Sequence, residues 1–120
     1  MSVERAEKLA GTESQIEWAE GIRSRVDEEF DRVASTLQGA AEKQQGQDRL
    51  DTLSIIGILE EKRKEVLAID QAGYFIRVWQ DLKDQVRQLI HQDPRYRAIR
   101  ASRQLVGEAP SSGLDASHAI

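Results

Sequence analysis

Between Ile16 and Leu37 the apolar residues fall three or four apart without a gap: Ile16, Ala19, Ile22, Val26, Phe30, Val33 and Leu37. That period winds one apolar stripe around an α-helix, and it fits no strand, whose side chains alternate at every second residue. Thr12 and Gln15 precede the stripe at capping-box spacing, and Glu13 places a negative charge in the first turn. Gly39 is the expected stop. At about 1.5 Å per residue such a helix is roughly 40 Å long, more than a compact domain of this size needs. The length points to an all-α bundle that is elongated or dimeric.

The rest of the chain follows the same logic. Ser2 can cap a short helix through Leu9, with Gly11 as its end. Residues 39–48 hold two glycines and no large apolar group, and are expected to be a solvated connection. From Leu50 to Ile69 the sequence is densely apolar, at Leu50, Leu53, Ile56, Leu59, Val66 and Leu67, with residues 60–65 as its wet face. This predicts the central core helix. Asp70 to Gly73 marks a break, with Asp70 as a cap. One further stripe runs through Tyr74, Phe75, Val78, Trp79, Leu82, Val86, Leu89 and Ile90 toward His91. Asp93-Pro94 starts a last helix, since Asp caps and proline suits the first helical position; Gly107 ends it. The expected core is Ile16, Ile22, Val26, Phe30, Leu53, Ile56, Leu59, Phe75, Trp79, Leu82, Val86 and Leu89. Residues 1–107 are expected to form one domain, and residues 108–120, small and polar, a flexible tail.

Composition narrows the chemistry. The chain has 120 residues and no cysteine, which removes disulfides, a thiolate nucleophile and Cys-ligated metals. Charged residues before position 9 leave no signal-peptide core, and residues 55–59 are too short an apolar run to span a bilayer. A cytoplasmic protein without membrane contact is expected. The net charge of -4 is uneven. Residues 1–60 hold 7 basic against 13 acidic side chains, and residues 61–120 hold 10 against 8. The two halves therefore present different electrostatic faces.

Residues 11–23 resemble the opening of small uncharacterised helical proteins of bacteria, bacteriophages and mobile elements, which read Gly-Thr-x-x-Gln-x-x-Trp-Ala-Glu-x-Ile-Arg. Residues 72–77, Ala-Gly-Tyr-Phe-Ile-Arg, look like a diverged copy of a later helix in those proteins, with Phe75 where Trp is common. The resemblance implies a microbial or phage setting, and no reaction or ligand.

No residue pattern points to catalysis. Glu17 with Glu20, and Glu28 with Asp31, place carboxylates on helical faces, but both pairs fall on one predicted helix. A metal-dependent hydrolase needs a second pair elsewhere, and neither His91 nor His118 has a glutamate three residues before it. No Gly-rich phosphate loop or Gly-x-Ser-x-Gly occurs, and no cofactor is expected. The two tryptophans are first of all core material. Trp18 lies off the strict apolar line beside Glu17 and Glu20, which makes it the better candidate for a partly exposed partner anchor. On the last helix a rotation of about 100° per residue gathers Tyr96, Arg97, Arg100 and Arg103 on one broad face, with Ala98, Ile99, Leu105 and Val106 largely opposite. These arginines can cover the acidic first helix, dock an acidic protein or contact phosphates. An acidic pI near 5.2 weighs against a dedicated nucleic-acid binder.

The expectation is a non-catalytic interaction module, an adaptor or inhibitor. It engages a protein partner through Trp18, Glu17, Glu20 and Glu28 and through Tyr96, Arg97, Arg100 and Arg103. The alternatives are a nucleic-acid-binding accessory protein that uses the last helix and, less favoured, a metal-dependent hydrolase.

Overall fold

A computed structural model describes residues 9–105, and they form five α-helices. The expected helix over residues 2–9, the stop at Gly107 and the tail from residue 108 lie outside the described residues, save that Leu9 is buried and not helical. The first helix, α1, spans Glu13–Lys43. Its start is the expected capping box: the Gln15 N–H donates to Thr12 Oγ1 at 3.2 Å, and the Thr12 N–H donates to Gln15 Oε1 at 3.0 Å. The stripe buries Ala19, Ile22, Val26, Phe30, Val33 and Leu37, while Ile16 is half-buried.

The helix does not stop at Gly39. Ala40 and Ala41 are buried, so tertiary packing carries the helix another turn at the small propensity cost of one glycine. Gln44 and Gln45 make the turn, and Gly46, at φ 62°, supplies the left-handed residue that closes it. The expected solvated connection is thus mostly helix. Its Gln44 is buried, and the Thr52 hydroxyl donates to Gln44 Oε1 at 2.6 Å.

The second helix, α2, spans Gly46–Leu67 and returns antiparallel to α1. Arg49 Nη1 donates to the Ala41 carbonyl at 2.8 Å near the turn, and Arg63 Nε donates to Asp27 Oδ1 at 2.8 Å farther along. Its buried face is Ile55, Ile56, Ile58, Leu59, Val66 and Leu67. Leu53, expected in the core, is 38% exposed, and Leu50 is 57% exposed. This helix is apolar on more than one side, and spacing alone does not select the face that α1 takes.

The third helix, α3 (Ala72–Val78), packs against α1. Residue 10 clasps the α2–α3 junction: the Ala10 N–H donates to the Asp70 carbonyl at 2.6 Å, and the Ala72 N–H donates to the Ala10 carbonyl at 3.0 Å. Gln71, not Asp70, occupies the cap position of α3. The predicted continuous stripe through His91 is interrupted at Trp79, which leaves the helix at φ -92°, ψ 72°. Its ring packs 6.5 Å from that of Phe30, and its Nε1–H donates to Tyr74 Oη at 3.0 Å. Gln85 bridges the gap by donating to the Val78 carbonyl and accepting from the Asp81 N–H at 2.9 Å. No glycine or proline marks this break; side chains set it.

The fourth helix, α4, is Leu82–His91, with Val86 and Ile90 buried and Leu82 and Leu89 half-buried. The fifth, α5, is Pro94–Leu105. Asp93 caps it as expected, its Oδ1 accepting from the Arg95 N–H at 2.8 Å. α5 runs antiparallel to α2, since Arg95 meets Glu61 while Arg103 meets Asp48 and Asp51. The bundle is elongated, 53 × 25 × 18 Å, with a Cα radius of gyration of 16.2 Å against about 13 Å for a compact domain of about 100 residues. Among the described residues no helix is long and apolar enough to cross a membrane.

Candidate interaction surfaces

Trp18 is 61% exposed, halfway between the buried face of α1 and its outward face. Its helical neighbours three and four residues away are Ser14, Gln15 and Gly21, all exposed, and Ile22, which is buried. Two of these are small, and a Cβ added at Gly21 would meet nothing within 4 Å. Glu17, Glu20 and Glu28 are exposed, and none pairs with a cation among the described residues. Arg25, two turns on and exposed, lies on nearly the same angular line of the helix as Trp18, so the surroundings of Trp18 are mixed in charge rather than purely acidic.

The last helix is rotated from its expected setting. Tyr96 is only 4% exposed and faces the bundle, as do the half-buried Ile99, Arg100 and Arg103, whereas Ala98 is exposed. The expected display of Tyr96 beside three arginines is corrected accordingly. The cause is the length of these side chains: a tyrosine and an arginine bury their stems while their polar ends reach partners at the edge. Arg103 reaches Asp48 at 3.2 Å and Asp51 at 3.6 Å. The acidic helix that the last helix neutralises is thus α2, not α1. Arg95 reaches Glu61 and Asp93, and Lys62 meets Asp93 at 3.1 Å. Hydrogen bonds from Arg95, backed by Lys62, hold the Asp93 carboxyl well below the usual carboxylate range, and Arg95 lowers Glu61 as well.

Arg97 and Arg100 behave differently. Arg97 Nε donates to the His91 carbonyl at 3.1 Å, and Arg100 Nη1 donates to Tyr96 Oη at 3.3 Å. Both acceptors are neutral. The His91 imidazole stacks on Tyr96 with ring centroids 4.9 Å apart and planes at 18°. His91, Tyr96, Arg97, Arg100 and Ala101 line an open cavity of about 330 Å³. Burial, together with the charges of Arg87 and Arg100, pushes the imidazole below its ordinary basicity.

A second, larger groove of about 550 Å³ lies between α2 and α5, lined by Ser54, Gly57, Ile58, Glu61, Arg95, Ala98 and Ile99. The exposed Leu50 and Leu53 each stand one helical turn before a lining residue, Ser54 and Gly57, and so share that side of α2. The spacing Leu50, Leu53, Gly57, Ile58 is the sequence signal for this face; the assumption that every leucine of α2 is core hides it.

The paired carboxylates do not assemble into a metal site. Asp31 Oδ1 accepts from Arg63 at 2.7 Å, and among the described residues no three of His, Asp and Glu stand together as ligands. Hydrogen bonds from Arg63 to Asp27 and Asp31 outweigh its burial and raise its basicity further. Comparison with protein-family models, with curated proteins and with solved structures finds no match for the chain.

Proposed function

We propose that the protein is a non-catalytic interaction module that binds a protein partner, as an adaptor or inhibitor, with Trp18 as its anchor. The observation that carries this reading is the fate of the aromatic residues. Phe30, Phe75, Trp79 and Tyr96 are buried and Tyr74 is half-buried, whereas Trp18 alone is displayed, on the long first helix. An exposed tryptophan offers a large rigid surface at little cost in conformational entropy, and such residues dominate interface energetics. Glu17, Glu20 and Glu28 supply a polar rim suited to a partner with lysine or arginine around an apolar pocket. A bacterial or phage setting rests on the resemblance of residues 11–23.

The test is affinity capture from nuclease-treated lysate with the native chain and with Trp18→Ala, read by mass spectrometry beside thermal melts of both. A stoichiometric protein that is lost with Trp18→Ala while melting is unchanged supports the reading. Equal capture by both chains overturns it.

A further inference from the structure

Four cations of α2 and α5 are neutralised within the bundle. Arg63 meets Asp27, Asp31 and Glu60; Lys62 meets Asp93; Arg95 meets Glu61 and Asp93; Arg103 meets Asp48 and Asp51. In a chain with 21 acidic and 17 basic residues, carboxylates are in surplus. Arg97 and Arg100 nevertheless have no carboxylate partner among the described residues, and both converge on one cavity. Their hydrogen bonds to the His91 carbonyl and Tyr96 hydroxyl orient the guanidiniums without cancelling their charge. Arg97 also covers a carbonyl at the end of α4, whose partial negative charge would otherwise repel an anion.

We propose that the cavity of His91, Tyr96, Arg97 and Arg100 is a binding site for the phosphoryl group of a nucleotide, free or within a single strand. Two guanidinium forks beside an imidazole offer several donors to one group, which matches the many acceptors of a phosphate better than the two of a carboxylate. Tyr96 holds the His91 ring flat against its own, and the exposed imidazole is a platform on which a planar base can stack. Arg87 adds positive potential on the α4 side. Burial first, and then the charges of Arg87 and Arg100, lower the basicity of His91, and an anion bound beside it would stabilise the imidazolium.

The experiment is an NMR titration of the histidine ring resonances of the full chain with inorganic phosphate, a nucleoside monophosphate and a short single-stranded oligonucleotide, against sodium chloride at matched ionic strength. His118, the other histidine of the sequence, serves as the internal control. The expected result is a saturable shift at His91 with the monophosphate or the oligonucleotide, a rise in the His91 pKa, and no saturable shift at His118. The double variant Arg97→Gln, Arg100→Gln, checked for unchanged helicity, is expected to bind at least about tenfold more weakly, which corresponds to about 1.4 kcal/mol. Tighter binding of the oligonucleotide, with steep loss on adding salt, assigns the phosphoryl group to nucleic acid; tighter binding of the monophosphate assigns it to a free nucleotide. No saturable shift with any probe, equal shifts at both histidines, or undiminished binding by the double variant overturns the site.

Discussion

The α1–α2 hairpin and the α5 arm are attached to the bundle by different physics. Between α1 and α2 the contact is a seam of buried aliphatic side chains and Phe30, with Arg63 and its carboxylates at one edge. On α5 only Tyr96 and Ile99 pack on the apolar core, and toward α2 the contact is dominated by two charged clusters, Arg95–Glu61 with Lys62–Asp93 at one end and Arg103 with Asp48 and Asp51 at the other, with the groove of Gly57 and Ala98 between them. A seam of apolar area is indifferent to salt and pH, whereas ion pairs at a surface are weak individually and respond to both. The hairpin is therefore the scaffold, and the arm is the element whose docking conditions can alter.

The largest effect is expected where the seam is broken. Phe30 is fully buried against Trp79, and Phe30→Ala should cost about 3–5 kcal/mol, read by denaturant unfolding; a loss below about 1 kcal/mol would contradict the packing described. Next is the hinge of the arm. Asp93→Asn keeps a capping oxygen but removes the charge and leaves Lys62 and Arg95 short of a partner, for about 1 kcal/mol. Because the folded-state pKa of Asp93 is depressed, its contribution is complete above the unfolded-state pKa of about 4 and disappears as the pH falls below it. Melting curves of the native chain and Asp93→Asn should differ at neutral pH and converge in acid; a constant gap would place the effect in the cap geometry alone. The smallest effect runs the other way. Gly39 sits inside α1, where an added Cβ would meet nothing within 4 Å, and Gly39→Ala should stabilise the hairpin by about 0.5–1 kcal/mol in the same unfolding experiment. A loss there would mean that α1 does not run unbroken through this position.

What could be read from the sequence follows the range of the determining contacts. The capping box at Thr12 and Gln15, the apolar stripe of α1 and the Asp93-Pro94 start depend on neighbours within one helical turn, and all three stand as expected. Gly39 is no stop because burial of Ala40 and Ala41, decided by the returning α2, outweighs a local preference. Leu53 stands on the surface instead of in the core, and the unassigned Ile55 is buried, because α2 is apolar on several sides and its rotation is set by tertiary packing. Tyr96 turns inward for a similar reason, and its turning creates the stacked pair with His91, a residue that sequence alone marks only as the end of a helix. Arg97 and Arg100 are legible as a pair of cations, but their lack of carboxylate partners depends on where every acidic group lies in three dimensions.

The clasp at Ala10 has a mechanical consequence. Because its N–H and carbonyl are tied to Asp70 and Ala72, the first described residues are anchored to the α2–α3 junction as well as covalently to the start of α1. Tension arriving from residue 9 is divided between these two attachments, so it bears on the far end of α2 without travelling around the hairpin. The chain between residues 10 and 72 thereby becomes a closed circuit fastened by two hydrogen bonds, and the contact that fastens it joins positions that only a formed hairpin brings within reach. Tugging the chain open from this side would undo the clasp first and leave the α1–α2 seam to bear the load afterwards.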